Sequence, residues 1–198
     1  MAELLPINFP IIKDNDLINV DFRDAVTGLG YIYLDCTATT DKAATQYHLN
    51  GDITYTNPKL LDFPNANPVS FAIEIQRRIT VVGKAIILGA HSWGCTGASS
   101  ATFDAFVAKN DVTLGTVEAK DFTASGADFK QEHCILELDL PETNFNKGDT
   151  LTLSFKGSTA YTHYLWFDPT DTSDTRSIEG TSRTTTHTKS GIYLPVKV

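Results

Sequence analysis

The segment AHSWG, residues 90–94, places a serine between small residues directly after an apolar run, KAIILG. Acyl transfer by a serine requires this kind of presentation, on a sharp turn that follows a strand, with an acid and a histidine later in the chain. Ser92 therefore has the residue type and local setting of a nucleophile. The candidate partners are Asp139, Asp168, His163 and His187.

The same chemistry requires a scaffold of parallel strands joined by helical crossovers. Downstream of residue 110 the chain shows short alternating runs and turns but no amphipathic helix, and residues 96–110 are rich in poor helix formers. We therefore expect Ser92 to lie in a glycine-rich loop between strands and the protein not to be an enzyme. A small serine esterase that uses Ser92 stays open as an alternative.

Apolar and polar residues alternate along most of the chain, which is the two-residue period of β-strands. In TLTLSFK, residues 150–156, every second side chain is apolar, and VSFAIEIQ, residues 69–76, has the same pattern. The 26 threonines also favour strands, because threonine is stiff at its β-carbon. The pattern predicts an all-β fold, specifically an antiparallel, jelly-roll-like β-sandwich.

No repeat or linker divides the 198 residues. We expect an extended N-terminal arm over residues 1–17 and a single β-sandwich domain over residues 18–198. Residues 56–68 look like a proline-bearing loop, and the polar residues 168–190 look mobile. The arm carries six apolar residues that could anchor it on a partner: Leu4, Leu5, Ile7, Phe9, Ile11 and Ile12.

Net charge and hydropathy exclude two classes of partner. The net charge is −8 and the pI is near 5.0, which opposes binding to nucleic acid. The start of the chain lacks the basic and apolar regions of a signal peptide, and no uninterrupted apolar run is long enough to cross a membrane. We expect a protein made in the cytoplasm that binds neither nucleic acid nor membrane.

The potential metal ligands show no ligand-like spacing. The three cysteines are odd in number and form no CxxC pair, and Cys36 and Cys134 each share a strand face with apolar residues. The aspartates of DPTDTSD, residues 168–174, do not match a calcium loop. We expect both cysteines in the core, no metal and no cofactor.

Two groups of side chains are candidates for binding. The strand YTHYLWF, residues 161–167, contains Tyr164 and Trp166, whose rings could stack on a sugar, so a carbohydrate-binding module for host glycans is an alternative function. The adjacent Arg77 and Arg78 are expected to contact an acidic partner surface.

The C-terminal third carries a family resemblance. The runs PETNFNKGDTLTLSFKG, YLWFDPTDT and GIYLPVKV are similar to β-sandwich virion accessory proteins of tailed bacteriophages, closely over residues 135–198 and loosely over the whole length. Phe167 departs from that pattern, because a histidine is expected before the Asp-Pro pair. A role that the family gives to a histidine at this position is therefore not carried over to this chain.

The resemblance implies a non-enzymatic virion structural protein that decorates or cements a phage capsid. It implies contacts with the major capsid protein or other virion proteins through the arm and the sandwich surface, and localisation in the virion. A closed homo-oligomer such as a trimer would suit repetition on a shell.

Overall fold

The structure, a computed structural model, describes residues 29–41, 44–51, 59–64, 68–95, 99–118, 122–124, 128–157, 162–167, 174–178, 181–185 and 190–197. These residues form strands and contain no helix, so no helix among them could span a membrane. The prediction of an all-β fold is confirmed. The predicted arm, residues 1–17, lies outside the described residues, and the division into an arm and one domain stays a prediction.

Fifteen strands occur in the described residues. They are β1 (Leu29–Asp41), β2 (Ala44–Asn50), β3 (Lys59–Pro64), β4 (Val69–Glu74), β5 (Ile79–Cys95), β6 (Ser99–Ala101), β7 (Phe103–Lys109), β8 (Val112–Glu118), β9 (Phe122–Ala124), β10 (Asp128–Phe145), β11 (Thr150–Gly157), β12 (Thr162–Phe167), β13 (Asp174–Ile178), β14 (Thr181–Thr185) and β15 (Gly191–Lys197).

Eleven of these strands form one sheet, in the order β3-β12-β5-β15-β1-β2-β4-β11-β7-β8, with β10 also paired to β5. Its ladders are antiparallel except for a single parallel pair, His48 on β2 and Ala72 on β4. The sheet curls until β8 lies against β10, where the α-carbon of Gly115 approaches the side chain of Leu138. The path from β10 to β8 therefore nearly closes into a barrel.

The long strands β5 and β10 pair with each other along almost their whole length. The other edge of β5 is shared between two strands: Thr80 to Leu88 pair with β15, and Ala90 to Gly94 pair with β12. Ser190 lies at the point of divergence, where its hydroxyl accepts a hydrogen bond from the amide of Ala90 at 2.9 Å. The sheet consequently forks at Ala90, and one serine satisfies the backbone donor there.

Strands from opposite parts of the sheet face each other across an apolar interior. Phe71 of β4 packs edge-on against Phe167 of β12 with ring centroids 5.0 Å apart. On one side of this interior, Phe103 of β7 stacks on Phe155 of the neighbouring strand β11. A β-carbon at Gly89 of β5 would lie 2.7 Å from the Phe103 ring, so only glycine fits this close approach. β5 thus packs directly against β7.

The alternating pattern is confirmed where it is clearest. Leu151, Leu153 and Phe155 of β11 are buried, as the sequence predicts. Cys36 and Cys134 are both buried thiols, which confirms their predicted place in the core. The alternation predicts these strands because burial on one face selects every second residue.

Three predicted loops are wrong. Residues 59–64 form β3 and not a proline-bearing loop, and residues 174–178 and 181–185 form the hairpin β13–β14 inside a segment predicted to be mobile. Residues 90–94 continue β5 and form no loop after it. Pairing with the distant strands β12 and β10 stabilises residues 59–64 and 90–94, whereas β13 and β14 pair only with each other as a local hairpin.

Candidate functional site

A depression opens at one end of the apolar interior, with a volume of about 390 Å³. Its floor continues the interior faces of three strands, because Ile32, Ile79 and Val196 each lie two residues beyond a buried core side chain. Its rim is formed by the β4–β5 connection and the end of β15. The depression is lined by Ile32, Arg77, Arg78, Ile79, Thr80, Val196 and Lys197.

The strands bend at Gly83 just before they reach the depression. Gly83 has a positive φ of 105°, and the register of β10 shifts between Leu140 and Thr143 as it passes this point. β15 shifts between Tyr193 and Val196. Bulges increase the local twist of a ribbon, so the bend directs the ends of β5 and β15 around the opening.

Hydrogen bonds from the β10–β11 turn hold the start of the β4–β5 connection. The amide of Ile75 donates to the carbonyl oxygen of Asp149 at 2.8 Å, and the amide of Gly148 donates to the carbonyl oxygen of Ile75 at 2.8 Å. Gly148 has a φ of 92°, a conformation that favours glycine. Arg77 and Arg78 therefore extend from a connection whose first residue is fixed at both its donor and its acceptor.

The depression is cationic although the whole chain is acidic. Arg77, Arg78 and Lys197 are exposed at its rim, and no acidic residue lines it in the described part of the chain. Lys197 pairs with Glu142 at 3.4 Å, with both side chains more than half exposed, so this ion pair is weak. Neither arginine has an ion-pair partner among the described residues. A carboxylate could therefore bind here without displacing a strong internal contact.

Asp149 links the turns next to this site. Its carboxylate accepts hydrogen bonds from the amide of Asn146 at 2.7 Å and from the side chain of Asn110 at 2.8 Å, and it pairs with Lys109 at 2.9 Å. These donors, the backbone amide first, lower the pKa of Asp149 from 3.8 to about 2. The charged carboxylate thus ties the β7–β8 turn to the β10–β11 turn.

A second polar cluster is buried where β1 passes from β15 to β2. Asp35 pairs with Gly191 on one edge and with Asn50 on the other, and the hydroxyl of Tyr33 donates to its carboxylate at 2.9 Å. A β-carbon on Gly191 would collide with the backbone oxygen of Leu34 and the hydroxyl of Tyr33. The close approach of β15 to β1 therefore requires glycine.

Burial determines the acid–base properties of this cluster. It raises the pKa of Tyr33, and the negative charge of Asp35 raises it further. The pKa of the fully buried Cys36 thiol is raised by burial first and by Asp35 second. A thiol and a phenol that stay protonated are poor nucleophiles. We assign the cluster a structural role, because Tyr33, Asp35 and Cys36 are buried and the Tyr33–Asp35 hydrogen bond is shielded from solvent.

The proposed nucleophile Ser92 is not on a turn. It lies within β5, opposite Gln131 of β10 on one edge and Tyr164 of β12 on the other. A nucleophile elbow needs the chain to reverse sharply and enter a helix at the serine. The backbone at Ser92 does neither, so the arrangement that would activate it is absent from the described structure.

The predicted binding residues lie in different parts of the fold. Arg77 and Arg78 line the depression, whereas Tyr164 and Trp166 lie on β12, paired with both β5 and β3. The apolar residues of the arm lie outside the described residues. The contributions of Lys197, Ile32 and Val196 were not predicted, and only the strand register, which places β15 between β1 and β5, reveals them. In the described residues no three histidine, cysteine or acidic side chains gather as metal ligands.

The fold is similar to that of solved hydrolytic enzymes. Two crystal structures of a CocE/NonD family hydrolase from Staphylococcus aureus match 84% and 85% of this chain at TM-scores of 0.55 and 0.57, with 11% identity. An aminopeptidase from a marine sediment archaeon, Thaumarchaeota archaeon, matches 85% at a TM-score of 0.50, with 9% identity. No protein-family model and no curated protein sequence matches the chain. At these identities the likeness concerns the fold alone.

The chain spans 37% of the length of the protein in each of these three structures, which belong to two enzymes. The matched part of each enzyme has an all-β counterpart here, and most of each enzyme has no counterpart in this chain. The activity named for each enzyme is therefore said of that enzyme as a whole.

These neighbours contradict the predicted function. The sequence predicts a non-enzymatic virion structural protein, with, as the alternatives, a carbohydrate-binding module or a small serine esterase that uses Ser92, whereas the fold is similar to that of a hydrolase and an aminopeptidase. The predicted virion structural role is wrong, as is the prediction that the protein is not an enzyme. Strand alternation and turn residues are shared by many β-proteins, so they could not separate a capsid protein from part of an enzyme.

Proposed function

We propose that this chain is the β domain of a hydrolase, with its curled sheet flattened into two facing layers in a jelly-roll-like sandwich. The observation that carries the proposal is the fold likeness to a hydrolase over 84–85% of this chain. The direct packing of β5 against β7 and of β4 against β12 supports the two-layer arrangement. One fold can serve several functions, so the class of enzyme enters here by analogy.

In this proposal the domain works beside a catalytic domain that supplies the reacting groups. The position of Ser92 inside β5 supports this division, because a residue in the middle of a ladder cannot adopt an elbow. The share of the hydrolase that the chain covers, 37%, leaves room for such a domain. The β domain contributes a rigid surface that orients part of the substrate.

Among the residues that the structure describes, the cationic depression is a surface suited to that role. It is concave, it combines an apolar floor with a few charged groups, and its volume of about 390 Å³ lies in the range of small-ligand sites. Its floor is formed by strands that pair with one another, so its shape is set by the sheet. Sites on rigid elements hold ligands more precisely than sites on loops.

The test is to tag this sequence in the organism that encodes it, purify the tagged protein under native conditions, and assay hydrolysis of p-nitrophenyl esters and aminoacyl p-nitroanilides. We expect hydrolytic activity that elutes with the tagged protein and exceeds the activity in a mock purification from untagged cells. Activity no greater than in the mock purification, across both substrate classes, would contradict the proposal.

A further inference from the structure

Resting on the proposed function, we infer that the depression between β1, the β4–β5 connection and β15 binds the C-terminal carboxylate of a short apolar peptide. The carboxylate lies between Arg77, Arg78 and Lys197, and an aliphatic side chain of the peptide covers the floor. This assigns a substrate class and a position to the β domain.

The charges at the rim select an anion. Arg77 and Arg78 have no ion-pair partner among the described residues, and Lys197 shares its charge with Glu142, so the rim carries an excess of positive charge on a chain whose net charge is −8. Charges of one sign around a concave surface concentrate ligands of the other sign. Arginine also matches a planar carboxylate with two parallel N–H donors, which lysine cannot do.

The floor selects an apolar group next to that anion. Ile32 and Ile79 are half-buried, so each packs against the core on one side and is open on the other, and Val196 beside them is buried. A ligand that covers them removes apolar surface from water, which favours binding. A bare ion has no apolar surface to bury on this floor. The C-terminal residue of an apolar peptide carries both a carboxylate and an aliphatic side chain.

We prefer a free peptide carboxylate to other organic anions because the proteins with similar folds are a hydrolase and an aminopeptidase. In hydrolysis of a peptide from its amino end, the carboxyl end stays free and unreacted. A site that holds this end orients the substrate while taking no part in the bond cleavage.

Binding is tested by titration calorimetry of the 198-residue chain with Leu-Leu-Leu, its C-terminal amide, Gly-Gly-Gly and inorganic phosphate. We expect Leu-Leu-Leu to bind at least about tenfold more tightly than its amide, because the amide loses the charge-assisted hydrogen bonds. Gly-Gly-Gly and phosphate should bind more weakly than Leu-Leu-Leu. Equal binding of acid and amide, equal binding of phosphate, or no heat at millimolar ligand would overturn the inference.

The variant Arg77→Gln/Arg78→Gln removes both guanidinium groups and should weaken Leu-Leu-Leu by about tenfold or more. The matched control is Lys84→Gln/Lys156→Gln, which changes the net charge by the same amount at exposed positions outside the depression. Thermal melting of both variants checks that they fold. Equal weakening by the two pairs would mean that only overall charge matters, and would contradict a site at the depression.

The peptide-binding experiment and the hydrolysis experiment can fail independently of each other. Peptide binding without co-purifying hydrolysis would leave the carboxylate site in place and contradict a hydrolase. Hydrolysis without selective peptide binding would support the enzyme class and overturn the assignment of the depression.

Discussion

Ser92 of β5 lies directly opposite Tyr164 of β12, inside a ladder that also pairs β5 with β10. The strand has neighbours on both edges at this residue. At a residue paired on both sides, losing the backbone amide hydrogen costs more stability than replacing the side chain. The segment that most resembles a catalytic turn is therefore part of the supporting sheet.

Replacing Ser92 by proline should destabilise the protein strongly, because proline has no amide hydrogen and does not fit within a central strand. Ser92→Ala keeps the amide and is the matched control. The melting temperatures of both variants measure the difference. A proline variant as stable as the alanine variant would mean that residue 92 lies outside the ladder.

Loss of the Ser190 hydroxyl should cost about 1–3 kcal/mol in the free energy of unfolding. Ser190→Ala leaves the amide of Ala90 without its acceptor at the fork of the sheet, where both residues are buried. Urea denaturation measures the loss, and Thr116→Ala at an exposed position of β8 is the control. A change in Ser190→Ala no larger than in the control would refute the role of this hydrogen bond.

Replacing Tyr33 by phenylalanine should lower the free energy of unfolding by about 1.5–3 kcal/mol, since the lost hydrogen bond goes to a buried carboxylate. Tyr31→Phe removes a comparable but exposed bond, the one to the carbonyl oxygen of Lys84 at 3.1 Å, and should cost less. Chemical denaturation of the two variants side by side gives the comparison. Equal losses would show that burial of the Tyr33–Asp35 pair adds nothing.

Asp149 should make stability depend on pH in the acid range. Its pKa in the folded protein is about 2, below the ordinary value of 3.8, so folding favours its charged form. Its contribution is complete above about pH 4–5 and is lost as the pH falls towards 2. Unfolding free energies measured from pH 6 to pH 2 should decline less steeply in Asp149→Asn than in the wild type.

Asp111→Asn is the control for this experiment, because Asp111 is exposed in the neighbouring β7–β8 turn. It removes one carboxylate from the same region and so measures the effect of losing a negative charge without the contacts of Asp149. Identical slopes in the wild type and Asp149→Asn would exclude Asp149 as a source of the acid sensitivity.

Much of the fold could be predicted from the sequence because burial on one face leaves a two-residue period. Leu151, Leu153 and Phe155 show it, and so do the core positions of Cys36 and Cys134. The β13–β14 hairpin has no such period, since all of its residues except Ile178 are polar. The β-propensity of its threonines was the signal that could have predicted it.

The continuation of β5 through residues 89–95 could not be predicted locally. Gly89 looks like a turn residue, but it is required because the ring of Phe103 packs against its α-carbon. A glycine that makes room for a distant side chain and a glycine that makes a turn are identical in sequence. Only the tertiary structure separates the two.

The candidate site could be predicted only in part. Arg77 and Arg78 stand out because adjacent cations are unusual in an acidic chain. Lys197 and Ile32 are separated from them by long stretches of sequence, and they reach the same depression because β15 pairs with both β1 and β5. The likeness to hydrolases, at 9–11% identity, is visible only in the fold.

The most direct test of the central claim, a β domain that serves a hydrolase without supplying the nucleophile, is the hydrolysis rate per mole of the natively purified, tagged protein with and without Ser92→Ala. The account predicts measurable hydrolysis at equal rates in both. No hydrolysis in either preparation, or a rate abolished by Ser92→Ala, would contradict it.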